Sequence, residues 1–143
     1  MSVEKTPTSW ANSTFVHVAF GFVAMGAWAV FANRDHPLSQ ALLAGLVQGI
    51  ISGSLTLVLK KSLERMSALF FGARASDAGI AKPSAALIVP PLITAASILA
   101  ILVGVHTLAG TPEIAATIAA PFTVSTSYAI IYNYGLWRRH GRR

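Results

Sequence analysis

Four long apolar segments without a single aspartate, glutamate, lysine or arginine constrain the fold of this chain more than any other feature. They cover residues 15–32, 38–59, 85–109 and 114–134. Because an α-helix rises about 1.5 Å per residue, about 20 apolar residues cross the roughly 30 Å core of a bilayer. The sequence therefore predicts an all-α, polytopic membrane protein, with four transmembrane helices in a single domain over residues 1–143.

Composition supports this placement, since 54% of the residues are hydrophobic and only 11% are charged. Ordinary soluble domains contain about 25% charged residues. The chain has no cysteine, so disulfides and thiol chemistry are excluded. A net charge of +6 would suggest nucleic acid if it formed a patch on a soluble fold, but Lys and Arg cluster here at the ends of the apolar segments. We therefore expect membrane lipid, and no nucleic acid, as a partner.

The distribution of Lys and Arg predicts the orientation of the helices. Cytoplasmic segments of membrane proteins carry an excess of these residues. With the N-terminus inside and four spans, ten of the eleven fall on the cytoplasmic side and only Arg34 on the other. The ten are Lys5, Lys60, Lys61, Arg65, Arg74, Lys82, Arg138, Arg139, Arg142 and Arg143. We expect a cell-membrane protein with both termini in the cytoplasm.

The connections between the segments predict two helical hairpins. Residues 33–37 and 110–113 are so short that the spans they join must be antiparallel neighbours, and Thr111 is expected to cap the fourth helix. The cytoplasmic connection, residues 60–84, is longer. A shift of 74 positions places Ser52 on Thr126, which makes a tandem 2+2 repeat a further hypothesis.

Apolar residues at spacings of three and four continue beyond the second span. They are Leu59, Leu63, Met66, Phe70 and Ala73. Basic residues such as Lys60 and Lys61 lie among them. This pattern predicts that the second span continues into an amphipathic helix at the cytoplasmic interface.

One face of the second span has the strongest pattern of small residues. At about 100° per residue, its small and polar side chains share a face roughly 140° wide. The small row is Ala41, Gly45, Gly49 and Gly53. Glycine at four-residue spacing lets another helix approach closely, and helix association inside lipid depends on such packing. We predict a helix-packing face, whose partner is in the same chain, a second copy or a foreign subunit.

The same pattern has a second interpretation, in which polar side chains of the second and fourth spans line a substrate groove. The candidates are Gln48, Ser52, Thr56, Thr123, Thr126 and Ser127. Hydroxyls in a helix can bond to the preceding turn, whereas an amide is costly to leave facing hydrocarbon. Asn133 lies between Tyr132 and Tyr134, as in an interfacial aromatic belt, so Gln48 is the deep polar residue to be explained.

Pro90 and Pro91 remove backbone hydrogen bonds from the third span. The carbonyls that they leave without donors need other partners inside a membrane. The polar row of the second span and water are the candidates.

Ionisable side chains are predicted to meet at the outer rim, where the two short connections lie. They are Asp35, His36, His106 and Glu113. A cluster of histidines and carboxylates can bind a cation or take up protons. Nothing has the spacing of metal ligands, however, so solvated loop charges are the simpler interpretation, and we expect no metal and no cofactor.

Function is predicted largely by exclusion. The chain has no nucleophile–base–acid set, phosphate loop or paired catalytic carboxylates, so we expect no enzyme. No acidic residue lies within a span, which argues against a proton-driven exporter. The first hypothesis is a transport or flippase-type protein for a neutral or lipid-linked substrate, acting as an oligomer. The second is a non-catalytic accessory subunit, which docks on a larger membrane complex through its glycine face.

Overall fold

The computed structural model describes residues 14–71 and 83–140, and these residues form four α-helices. The helices are α1 (Thr14–Ala32), α2 (Leu38–Phe71), α3 (Pro83–Leu108) and α4 (Ile114–His140). Each is long and apolar enough to cross a membrane, which confirms the prediction of four such helices. Some residues used above lie outside the described ranges, namely Lys5, Ala73, Arg74, Lys82, Arg142 and Arg143.

Helices α2 and α4 each contact all three other helices. Helix α3 also packs on α4, and α1 reaches α4, where the Trp28 indole N–H donates to the Ala116 carbonyl at 3.0 Å. The buried core is apolar. It comprises Ile51, Leu59, Leu63, Ile98, Leu102, Ile118 and Ala129. Many large apolar side chains lie on the outer surface, Phe20 and Leu92 among them, as expected of a bundle surrounded by lipid.

Helix α2 is longer than the span predicted over residues 38–59. Its 34 residues correspond to a length of about 51 Å at the usual helical rise. Leu63 lies beyond the predicted end of the span, yet it is fully buried in the core, while Lys60 and Lys61 are exposed. The first turn of the extension therefore packs on the bundle through Leu63 and exposes its lysines, while its position at the membrane interface stays a prediction.

The two short connections, residues 33–37 and 109–113, lie together at one end of the bundle, which we call the loop end. Helix α3 ends in a Schellman motif: the Gly110 N–H donates to the Thr107 carbonyl at 3.2 Å, and the Thr111 N–H donates to the His106 carbonyl at 3.0 Å. This turn needs a residue in the left-handed region, and Gly110 has a φ of 67°. The motif brings Thr111 back over His106, which determines the geometry of the network described next.

Candidate functional site

A buried chain of hydrogen bonds leads from the loop end into the bundle. The Thr111 hydroxyl lies 2.8 Å from Nδ1 of His106, and Nε2 of His106 lies 2.9 Å from Oε1 of Gln48. The Gln48 amide then donates to the Ser52 hydroxyl at 2.8 Å. His106 and Gln48 are completely buried. We call these four residues the loop-end network.

The partners in the loop-end network determine the tautomer of His106. Oε1 of Gln48 is a carbonyl oxygen and can only accept, so Nε2 of the ring carries the proton and donates it. In the neutral imidazole, Nδ1 then accepts from the hydroxyl of Thr111. Both ring nitrogens have a partner, and the network joins α2 to α3 and to the connection that follows α3.

The loop-end network changes the interpretation of Gln48 and Ser52. Both are buried and hydrogen-bonded within the bundle, so neither lines an open groove. Thr56 bonds instead to its own helix, since its hydroxyl donates to the Ser52 carbonyl at 2.8 Å. The amide of Gln48, which the sequence marks as a deep polar group in need of a partner, is explained by His106.

The glycine row of α2 lies directly against α1. A Cβ atom added to Gly45 would collide with the side chain of Val30 and lie 3.0 Å from the Gly26 carbonyl oxygen. A Cβ atom added to Gly49 would lie 3.0 Å from the Phe22 carbonyl oxygen. The two backbones are thus so close that a methyl group at Gly45 would displace Val30, and one at Gly49 would press on Phe22.

Of the two remaining members of the row, Gly53 also lies against α1. A Cβ atom on Gly53 would be in ordinary contact with Val18 of α1, at 3.4 Å, and Ala41 is buried. The partner of this face is therefore α1 of the same chain. A second copy or a foreign subunit that used the face would have to displace α1.

Asn33, at the end of α1, organises a second buried network at the loop end. Its amide donates to the Ala29 carbonyl at 2.8 Å and to the Thr117 hydroxyl at 2.7 Å. Its Oδ1 accepts from the Glu113 N–H at 2.9 Å. An N–H group at the start of α4 is thus satisfied by Asn33, and the prediction that Thr111 caps this helix is wrong. The Schellman turn directs the Thr111 hydroxyl to His106 instead.

The four ionisable residues predicted at the outer rim do not form one cluster. His36 and Glu113 pair across the two connections, with Nε2 3.1 Å from Oε1, and both are solvent-accessible. Asp35 lies 3.8 Å from its neighbour Arg34. His106 points into the bundle instead. Within residues 14–71 and 83–140, no three His, Cys, Asp or Glu side chains are arranged to hold a metal ion.

Asn133 supplies the hydrogen bonds that the prolines of α3 remove. In a regular helix, the residues at positions 90 and 91 would donate to the carbonyls of Ala86 and Leu87. Proline has no N–H, and Nδ2 of Asn133 donates to these two carbonyls at 3.1 Å and 3.0 Å. Asn133 is fully buried within the bundle. Its bonds to these carbonyls show that the expectation that the second span or water serves them is wrong.

The sequence does not indicate that Asn33 and Asn133 each organise hydrogen bonds between helices. Asn33 stands among the polar residues of a short connection, and Asn133 stands between two tyrosines. The only available signal is chemical, because two carbonyls freed by adjacent prolines call for an amide donor close by. Asn133 is an amide donor in the fourth span at the depth of the two prolines.

A groove opens between α3 and α4 beside the two prolines, with a volume of about 430 Å³. We call it the α3–α4 groove. It is lined by Leu87, Ile88, Pro91, Leu92, Ala95, Thr126, Ile130 and Tyr134. The lining is almost entirely apolar. Thr126 is the one predicted substrate-lining residue that contributes to this groove.

The hydroxyl of Thr126 differs from those of other threonines in the helices. Thr94 and Thr123 each donate to the carbonyl four residues earlier, at 2.8 Å and 2.7 Å, as Thr56 also does. Oγ1 of Thr126 is shielded from solvent and has no hydrogen-bond partner among the described residues. Ser127, predicted beside it, is exposed on the outer surface. Thr126 thus contributes to the wall of the α3–α4 groove, while its unused hydroxyl is shielded from solvent.

Comparison with known proteins finds no matching family model, no similar curated protein and no similar solved structure. We therefore infer the function of the chain from its geometry. The loop-end network and the glycine row are internal and hold helices together. The α3–α4 groove is open to the surroundings of the bundle and has room for a ligand.

Proposed function

We propose that this chain is a small integral membrane protein of the transport or flippase type, which binds a lipid or lipid-linked substrate in the α3–α4 groove. The observation that carries the proposal is the groove itself. It is apolar, it lies on helices apolar enough to cross a membrane, and its wall includes Thr126, whose shielded hydroxyl has no hydrogen-bond partner among the described residues. A groove with such walls is suited to an acyl or isoprenoid chain.

The depth of the groove supports a lipid chain as its occupant. Along α3 the lining runs from Leu87 to Ala95, which is about 12 Å at the helical rise. Half of a bilayer core is about 15 Å thick. Leu87 lies near the end of the bundle away from the short connections, so the groove reaches from that interface towards the membrane centre. The length of the groove is thus close to the thickness of one leaflet of the bilayer core.

Thr126 lies at the inner end of the groove, on the level of Ala95, and it supports movement of a headgroup rather than simple storage of a chain. A polar headgroup that crosses a bilayer loses its hydrogen bonds to water, and each such loss is costly in hydrocarbon. Because Oγ1 of Thr126 is shielded in this structure, its side chain must rotate before the unused hydroxyl can replace one of these partners midway. This is the role that we assign to Thr126.

The placement in the cell membrane is part of the proposal. The two short connections face outward, α1 with α2 and α3 with α4 form two hairpins, and both termini are cytoplasmic. Described basic residues support this orientation, because five of them lie at the end away from the connections while Arg34 lies at the loop end. The five are Lys60, Lys61, Arg65, Arg138 and Arg139.

Reconstitution in liposomes tests the proposed function. Vesicles with and without the purified chain would carry a headgroup-labelled fluorescent lipid in both leaflets, and dithionite would bleach the outer leaflet. Lipid movement predicts that bleaching in the protein-containing vesicles exceeds the outer-leaflet share, with or without an imposed proton gradient. Bleaching equal to that of protein-free vesicles under both conditions would contradict the proposal.

The accessory-subunit hypothesis relied on an available glycine face, and in this fold α1 covers that face. The same contact removes the surface through which two copies were expected to associate. Purification in mild detergent distinguishes the alternatives. A larger partner in constant stoichiometry would favour the accessory subunit, whereas a chain that moves lipid by itself favours transport.

A further inference from the structure

The α3–α4 groove ends next to a cation. Tyr134 lines the groove, and the guanidinium of Arg138, one helical turn further along α4, lies over its ring at 5.9 Å from the centroid. This distance is within the range of a cation–π interaction. Arg138 is exposed, and within the described ranges no carboxylate pairs with it.

The surroundings of Arg138 carry an excess of positive charge. The described residues at this end include five basic side chains and a single carboxylate, that of Glu64. Glu64 is already engaged, since its Oε1 accepts from the Tyr132 hydroxyl at 2.6 Å. The cytoplasmic end of the groove therefore has cationic groups available for an anion.

We infer that the substrate of the α3–α4 groove is an anionic lipid, whose chain occupies the groove and whose phosphate headgroup binds Arg138. This inference rests on the proposed function of the groove and adds the charge of the substrate to it. A guanidinium binds phosphate through paired N–H donors. An arginine at the membrane interface, above a groove one leaflet deep, meets the phosphate of a lipid whose chain lies in that groove. Free phosphate would leave the apolar part of the site empty.

Competitive lipid binding tests this inference without requiring transport. The full chain, purified in detergent, would be mixed with equal amounts of phosphatidylglycerol and phosphatidylcholine that have identical acyl chains. Native mass spectrometry would then measure the ratio of the two bound lipids. A single basic residue near a membrane contributes about 1 kcal/mol to binding of an anionic lipid, so we expect about fivefold more phosphatidylglycerol.

Three variants distinguish a specific lipid site at Arg138 from general electrostatic attraction to this basic end of the bundle. Arg138→Gln should bring the ratio close to one, while Lys61→Gln, which removes a charge from α2 at the same end, should leave it unchanged. Ala95→Leu, which fills the groove, should reduce retention of both lipids. Equal retention of the two lipids by the wild-type chain would overturn the inference, and so would an equal effect of Lys61→Gln and Arg138→Gln.

The outcome is distinguishable from failure of the proposed function. Selective retention of phosphatidylglycerol without lipid movement in liposomes would leave the anionic-lipid site in place and contradict transport. Lipid movement with equal retention of the two lipids would support transport and contradict the charge selectivity. Retention of neither lipid would overturn the groove as a lipid site.

Discussion

The side-chain amide of Asn133 donates to the carbonyl oxygen of Leu87 at 3.0 Å, and this carbonyl has no helical donor because residue 91 is proline. The same amide serves the carbonyl of Ala86, the counterpart of Pro90. One side chain of α4 thus stabilises the weakest point of α3, next to the α3–α4 groove. Asn133 therefore holds together the two walls between which we propose that lipid binds.

The first prediction concerns this contact. Asn133→Leu leaves two buried carbonyls without donors, and we expect it to lower the free energy of unfolding by about 1 to 3 kcal/mol. In a Pro90→Ala/Pro91→Ala background the alanine N–H groups can bond to the same carbonyls, so the same substitution should cost much less. Thermal unfolding in detergent would measure both losses. Equal losses in the two backgrounds would show that Asn133 does not serve these carbonyls.

The second prediction concerns the loop-end network. Thr111→Val removes the partner of Nδ1 of His106, which is buried, and we expect a loss of about 1 to 3 kcal/mol in unfolding free energy. Thr107→Val is the matched control, because Thr107 is exposed and bonds only to its own helix. A loss in the control as large as that for Thr111→Val would contradict the network.

The third prediction concerns the close approach of α1 and α2. Gly45→Ala places a methyl group against Val30 and the Gly26 carbonyl, and overpacking of this kind costs about 1 to 3 kcal/mol. Gly104→Ala is the control, since a Cβ atom there meets no described residue within 4 Å. Unfolding midpoints of the two variants should differ clearly. A stable Gly45→Ala variant would mean that α1 does not lie on the glycine row.

The fourth prediction concerns orientation. The chain contains no cysteine, so single cysteines can be introduced without a background. A membrane-impermeant thiol reagent should label Asp35→Cys in intact cells, and Arg139→Cys only after the membrane is opened. The reverse pattern would invert the proposed topology, and with it the leaflet that the groove faces.

The sequence predicts the helices well because membrane insertion depends on local properties. Apolar length determines where a span lies, and the bounds predicted for the first and third spans differ from the observed helices by at most two residues at either end. The predicted fourth span ends at Tyr134, whereas α4 continues to His140, because a helix can extend past the hydrocarbon core into polar residues.

Partners across the bundle are less predictable, because they depend on rotation and depth of whole helices. The spacing of Gly45 and Gly49 predicts a packing face, but only the fold identifies α1 as its partner. Asn133 bonds to carbonyls 46 and 47 residues away, and its neighbours along the chain do not indicate these partners. The sequence places His106 at the outer rim, because it does not show the turn at Gly110 that brings Thr111 back over this side chain.

Two alanine-to-leucine substitutions on α3 test whether lipid moves through the α3–α4 groove. Ala95 lines the groove, whereas Ala100 is exposed on the same helix outside it. The measurement is the initial rate of fluorescent-lipid movement in liposomes for Ala95→Leu and Ala100→Leu, after both have been shown to unfold at the wild-type temperature. We expect the rate of lipid movement to fall to that of protein-free vesicles for Ala95→Leu and to stay at the wild-type value for Ala100→Leu. Wild-type movement by a folded Ala95→Leu variant would contradict lipid movement through the groove.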